Sequence, residues 1–135
     1  MKYLFWLYLY FITFLFSQSS LEVGMPAPEW EFPDADGNMF TMDNWAGKIM
    51  GVSYVDPDES EMNEEFSDRV KKAIDVDSLI ARDSFKGIGI ADCASSWKPD
   101  FLIRAIGGRK AKKYETTVLF DFDAILRKSW DLNED

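Results

Sequence analysis

A chain of 135 residues is long enough for one modest domain with a real core, and its 24 acidic against 15 basic side chains give a net charge of −9 that disfavours nucleic acid and anionic membranes as partners. It contains no histidine, so imidazole is absent as general base or metal ligand; cysteine–histidine and serine–histidine catalysis and a structural zinc site are excluded with it. The one cysteine, Cys93, leaves no internal disulfide to form.

The chain opens on Lys2, followed by an uncharged and largely apolar run to Phe16 and then by Ser17-Gln18-Ser19-Ser20. The apolar run is shorter than the roughly 20 residues of a membrane span, and small polar residues follow it. This reads as a secretory signal peptide over residues 1–20, cut near Ser20, and predicts a periplasmic or secreted protein. The alternative is an uncleaved N-terminal anchor, the one route by which this chain would meet a membrane. Cleavage removes Lys2 and no acidic residue, so the net charge moves from −9 to −10, and residues 21–135 remain as a single domain.

Leu21 to Pro33 is extended, because Pro26 and Pro28 forbid a helix interior. Glu29-Trp30-Glu31-Phe32 alternates polar and apolar as a half-buried strand does. Asp34-Ala35-Asp36-Gly37-Asn38 is a dense turn signal, and Met39 to Met42 returns as the second arm of a hairpin. A short helical turn follows and is closed by Gly47. Ile49 to Val55 is an apolar run between Gly47 and Pro57 that reads as a buried central strand. Ser60 is placed to cap the next helix, in which Met62, Phe66, Val70 and Ala73 or Ile74 recur at helical spacing until Asp75-Val76-Asp77. Its acidic residues come first and its basic ones later, as the helix dipole favours.

Gly87 to Asp92 predicts a second buried strand. Asp100 to Ile106 predicts a helix that starts near Pro99 and is stopped by Gly107-Gly108, which makes Arg109 to Lys113 a basic connector. Thr116 to Asp121 predicts a third strand, and Ile125 to Leu132 a last helical segment. Strands alternating with helices imply an α/β fold with a parallel sheet and right-handed crossovers.

These residues resemble a known family. Val23-Gly24-Met25-Pro26-Ala27-Pro28, then Phe32 with Asp36-Gly37, then Trp45-Ala46-Gly47-Lys48 before an apolar strand, is similar to the start of peroxiredoxin and TlpA-type thioredoxin-like proteins. The spacing holds over about sixty residues. Leu119 to Asp123 and the helix after it resemble a later strand of the same superfamily, with Ala124 in place of the usual glycine. Within the superfamily, a loop without cysteine leading into an Asn-Glu helix is most similar to the YtfJ-like periplasmic proteins, which lack the thiol pair. The resemblance implies a thioredoxin-like α/β/α sandwich. It also implies a further strand, a hairpin partner and a final helix that this sequence does not supply before Asp135, so the expectation is a domain truncated before its last β-hairpin and C-terminal helix. An unpaired central strand would then favour association.

The family carries its reactive cysteine at the start of the helix after the central strand, where backbone N–H groups lower its pKa. The matching stretch here holds Asp56, Asp58, Glu59 and Ser60. Ser60 as a cap is the plainer reading, since a hydroxyl without a base does not replace a thiolate. Cys93 follows the second strand, and its candidate role is a peroxide-reactive or mixed-disulfide thiol. The plainer reading is a small packed residue near Trp97, with Asp92 raising its pKa. Asp56 and Asp58 begin a calcium-loop spacing, but no glycine stands sixth and Ser67 stands twelfth, so a solvated acidic loop is the plainer reading. Trp30, Trp45, Trp97 and Trp130 are spread over different elements and read as core and turn anchors rather than a nucleic-acid stacking platform.

The sequence therefore predicts a secreted or periplasmic thioredoxin-fold protein without the catalytic thiol pair. It would act by binding an unknown protein partner or itself, with no cofactor, metal or nucleic acid. The alternative is a thiol-dependent redox protein, peroxidase-like or oxidoreductase-like, that uses Cys93.

Overall fold

The computed structural model describes residues 21–59 and 61–132. The signal segment expected over residues 1–20 and the cap expected at Ser60 lie outside them. No helix among the described residues is long and apolar enough to cross a membrane.

The N-terminal hairpin forms as expected. Strand β1 (Glu31–Pro33) pairs antiparallel with β2 (Met39–Thr41), with Phe32 opposite Phe40. Its turn is held by the Asp34 side chain, whose Oδ1 accepts the N–H groups of Asp36 and Asn38, each at 2.9 Å. Gly37 takes the left-handed conformation that this turn requires (φ +89°). A 3-10 turn, Met42–Trp45, leads to Gly47, also at positive φ, and into β3 (Ile49–Val55).

Helix α1 (Glu64–Asp75) starts later than Ser60 would have capped it: Asn63 holds the cap position and its side chain makes no capping bond. None of its residues is buried, and Phe66 is 63% exposed. A short 3-10 turn (Arg82–Ser84) precedes β4 (Phe85–Asp92), which begins two residues before the expected Gly87. Helix α2 (Asp100–Tyr114), β5 (Thr117–Asp121) and α3 (Ile125–Trp130) complete the order.

Strands β3, β4 and β5 form one parallel sheet in that spatial order. Parallel strands at this spacing need long crossovers, and α1 and α2 lie in them. The mixed α/β class read from the sequence is the observed one. The central strand is β4, however, not Ile49–Val55. β4 takes hydrogen bonds from both neighbours, whereas β3 is paired on one side only among the described residues and contains no buried residue.

The period-2 alternation of the strands divides two cores. On one face Ile88, Ile90 and Leu119 pack with Trp30 and Phe32 of the hairpin and Leu126 of α3. On the other, Ala91 and Phe120 pack with Cys93 and with Ile103 of α2. Each layer covers apolar sheet surface at about 25 cal/mol per Å² removed from water.

The largest departure from the sequence reading is α2. It does not stop at Gly107-Gly108 but runs on to Tyr114, and Glu115 ends it in the left-handed region (φ 50°). The run Arg109 to Lys113 is thus helix rather than connector, and Lys112 and Lys113 sit in the last turn, where the dipole favours cations. The glycines are present for packing. A Cβ at Gly107 would stand 2.6 Å from Cζ of Phe120, and one at Gly108 would stand 3.0 Å from Cβ of Ala35. Without those methyl groups the helix approaches the sheet, and Arg104 reaches over the Phe122 ring at 4.5 Å.

Gly107→Ala sets these forces against each other. Alanine gains about 1 kcal/mol of helix propensity, while overpacking against a fully buried ring costs about 1–3 kcal/mol. The variant should unfold at lower urea than the parent, and Phe120→Leu in the same chain should recover part of the loss. A raised midpoint for Gly107→Ala alone would refute the close-approach account.

Candidate functional site

In a parallel sheet the carboxyl ends of the strands, with the loops that leave them, gather the side chains of a site. Here those ends carry Tyr54 and Asp56 from β3 and its loop, Asp92 and Cys93 from β4 and its loop, and Asp121 from β5. The strand register sets Asp92 directly beside Asp121.

Asp121 is wholly buried. Its Oδ1 accepts the N–H groups of Ile125 (2.9 Å) and Asp123 (3.3 Å), and its Oδ2 accepts Leu126 N–H (2.8 Å) and the Tyr54 hydroxyl (3.1 Å). One carboxylate thus satisfies the orphan donors at the start of α3 and ties them to β3 across β4. Its backbone oxygen also accepts Cys93 N–H at 2.9 Å. Burial, with the charges of Asp121 and Asp92, raises the Tyr54 hydroxyl far above the ordinary tyrosine value, so this residue is a fixed donor at neutral pH.

Asp92 is 4% exposed. Its Oδ2 faces Arg127 Nη1 at 3.3 Å, while Oδ1 has no hydrogen-bond partner. Burial pushes this carboxyl above its ordinary value, against the opposing pull of Arg127 and of the Tyr54 hydroxyl.

Cys93 is 5% exposed and sits among Ala91, Ile103 and Phe120. Its Sγ lies 3.5 Å from the Ala91 carbonyl oxygen. Burial, and then the negative charges of Asp100, Asp121 and Asp92, push the thiol up to about 12. The packing partner expected from the sequence, Trp97, is not there. Trp97 is 83% exposed, because the turn after Cys93 carries it outward, where Lys98 Nζ stands 5.3 Å from its ring centre. Trp30, by contrast, is buried as an anchor, and Trp45 and Trp130 pack against the same core.

Asp56 and Asp58 do not converge as ligands. Asp56 Oδ1 accepts Asp58 N–H at 2.7 Å, an Asx turn. The Asp58 carboxylate is committed to the loop after β4: it forms an ion pair with Lys98 and accepts Ser96 Oγ–H at 3.1 Å. Among the described residues no group of three or more His, Cys, Asp or Glu side chains could hold a metal ion.

The sequence reading found Cys93 and passed over Tyr54, Asp121 and Arg127, and treated Asp92 only as a neighbour of the thiol. A signal for the acidic pair was present: two apolar runs, GIGIAD and TVLFD, each close on an aspartate. Chemically the arrangement is a clasp of a fixed phenol donor, a helix-capping carboxylate and an arginine-paired carboxyl. Its thiol, Cys93, is buried.

No family model and no curated protein matches this chain. Solved structures do. A hypothetical protein from Sinorhizobium meliloti 1021 is similar at a TM-score of 0.58 and 19% identity over 83% of this chain, which spans 60% of that protein's length. The thioredoxin domain of a thiol-disulfide oxidoreductase from Bacteroides vulgatus is similar at 0.59 and 19% over 84% of this chain and 76% of its own. The exposed lipoprotein thioredoxin of Streptococcus pneumoniae strain TIGR4 is similar at 0.54 and 16%, over 78% and 75%. These likenesses show a thioredoxin-like fold.

Two substitutions test the clasp. Asp121→Ala leaves the Tyr54 hydroxyl and three N–H groups without an acceptor and should cost at least about 3 kcal/mol of stability. Asp92→Asn should do the opposite in a pH-dependent way. A carboxyl whose pKa is raised by folding adds stability below the unfolded value of about 3.9 and loses it as pH rises through the folded value. The stability of Asp92→Asn relative to the parent should therefore climb as pH rises from about 4 toward neutrality. A difference that is flat with pH would show that folding does not raise the Asp92 carboxyl.

Proposed function

We propose that this thioredoxin-fold chain is an extracytoplasmic binding or accessory protein that performs no thiol chemistry. The observation that carries this reading is the placement of Cys93. The one thiol is buried and pushed up to about 12, and it sits at the end of β4 rather than at the helix start after β3. The loop after β3 presents Asp56, Asp58 and Glu59 instead.

Two further features support binding. The loops leaving β3 and β4 are tied by the Asp58–Lys98 pair. Between them they carry Met62 and Trp97, 76% and 83% exposed, and Phe101 follows in the first turn of α2 at 73%. Large apolar side chains displayed on loops at the carboxyl end of a parallel sheet suit a protein partner. The apolar run of residues 1–16 behind Lys2 supports export to the periplasm or beyond. Likeness to the YtfJ-like proteins belongs to the same proposal, on the strength of the loop without cysteine.

The competing reading is a thiol-dependent redox protein using Cys93. It is favoured by the resemblance of the fold to that of a thiol-disulfide oxidoreductase domain. Alkylation separates the two. At neutral pH native Cys93 should react with iodoacetamide at least about 100-fold more slowly than the same thiol in urea, because both thiolate fraction and access are low. Peroxide consumption with a thiol reductant should not exceed background and should be the same in Cys93→Ser. Turnover that Cys93→Ser abolishes would establish the redox reading and end the first one.

A further inference from the structure

Helix α2 crosses from β4 to β5 and packs on Phe120 through Ile103 and Gly107. Its solvent face is a stripe at helical spacing, in which Phe101, Ala105, Arg109, Lys112 and Lys113 are all exposed. Phe101, at the start of the stripe, is 73% exposed.

The charges on this helix are of one sign. From Phe101 to Tyr114 it carries Arg104, Arg109, Lys110, Lys112 and Lys113 and no acidic residue, in a chain of net charge −9. Arg104 is engaged inward, with the Asp34 carbonyl oxygen and the Phe122 ring. Arg109, Lys112 and Lys113 stand in no ion pair among the described residues. Helix α1 shows the other pattern: it mixes acids and bases, and Glu65 pairs with Arg69 at 2.6 Å, four residues on. A solvated face gains from such pairs, whereas like charges at that spacing repel. The helix dipole accounts for Lys112 and Lys113, in the last turn, but not for Arg109 before it. These cations are left for a partner to answer.

We propose that the solvent face of α2 binds an acidic segment of another protein, with the segment's carboxylates against Arg109, Lys112 and Lys113 and an apolar residue of it against Phe101. At 1.5 Å per residue, Phe101 and Lys112 are about 16 Å apart along the helix, the length of about five extended residues. Ala105 lies between them and its small side chain lets the segment's backbone come close. Charge-assisted hydrogen bonds hold one end and an aromatic anchor holds the other. The occupant is a segment rather than an anionic membrane for a reason of extent. A flat surface meets the whole molecule and its net charge of −9. A single strand of chain, screened beyond a Debye length of about 10 Å, meets mainly the helix face it lies on. This inference names the partner's chemistry for the binding role proposed above and rests on that role.

The test is made on the full chain, with a fluorescein-labelled peptide that carries one phenylalanine, a short glycine-serine spacer and a run of glutamates. Its fluorescence anisotropy should rise to saturation as the chain is added, and binding should weaken as salt rises. Arg109→Glu gives the sharpest contrast. It sets a glutamate four residues before Lys113, the favourable pairing that α1 uses, so the urea midpoint should hold or rise while the peptide binds at least about tenfold more weakly. Phe101→Ser should weaken binding several-fold, and a peptide with lysines in place of the glutamates should not bind. No saturable binding of the acidic peptide would overturn the proposal. So would an Arg109→Glu chain or a Phe101→Ser chain that binds as the parent does. Sedimentation with phosphatidylglycerol vesicles that Arg109→Glu abolishes, without peptide binding, would overturn it in favour of a membrane surface. None of these failures touches the buried Cys93, which carries the binding role itself; turnover lost in Cys93→Ser is what would end that role.

Discussion

The structure depends on one buried carboxylate. Asp121 ends β5 with no exposure to solvent, and a buried carboxyl is tolerated there because both of its oxygens accept hydrogen bonds. The start of α3 supplies backbone N–H groups and β3 supplies the Tyr54 hydroxyl. The consequence is geometric. α3 is only six residues long and too short to be stable alone, yet it places Leu126 in the core with no exposure. Ala124, at its cap position, adopts a left-handed φ of 52° that costs an alanine about 1 kcal/mol, and the tight turn around Asp121 imposes it. The same bonds fix the end of β3, the least buried strand of the parallel sheet, to the far side of that sheet.

How far the sequence could be read follows from the range of the forces involved. The hairpin was legible because its causes are local: alternation in β1, Gly37 at positive φ, and an aspartate that closes its own turn. The strands were legible because apolar runs bounded by glycine and proline have few other uses. Helix α2 was misread at Gly107-Gly108, since a glycine pair ends a helix by local rules and is kept within one only when a neighbouring surface must come close. That surface is Phe120, in the following strand. Trp97 was misplaced for a similar reason. Its exposure is decided by the path of the loop after β4, which the Asp58–Lys98 pair constrains from 40 residues away in the chain. The Tyr54–Asp121 bond spans 67 residues, and no spacing rule reaches that far.

The candidate site shows why a fold does not carry its chemistry with it. A thiol is reactive where a helix N-terminus or a cation stabilises its anion. Cys93 has the reverse: burial and the Asp100 charge at the start of α2 raise its pKa most, and Asp121 and Asp92 raise it further, with Arg104 opposing them. Two of these groups also hold the strand ends together. Removing Asp121 would relieve part of the shift, but it would also unfasten α3. To that extent stability of the clasp and reactivity of the thiol are opposed in this chain.

The same carboxylates follow from the parallel topology. Parallel strands bring all their carboxyl ends to one side, so the aspartate that closes β4 and the one that closes β5 stand side by side. An antiparallel sheet would have placed them at opposite ends. The parallel one gathers them, and the groups that answer them come from the elements on either side: the Tyr54 hydroxyl from β3, and from α3 the Arg127 guanidinium with the backbone N–H groups at its start. The clasp is thus what the topology requires once both strands end on an aspartate.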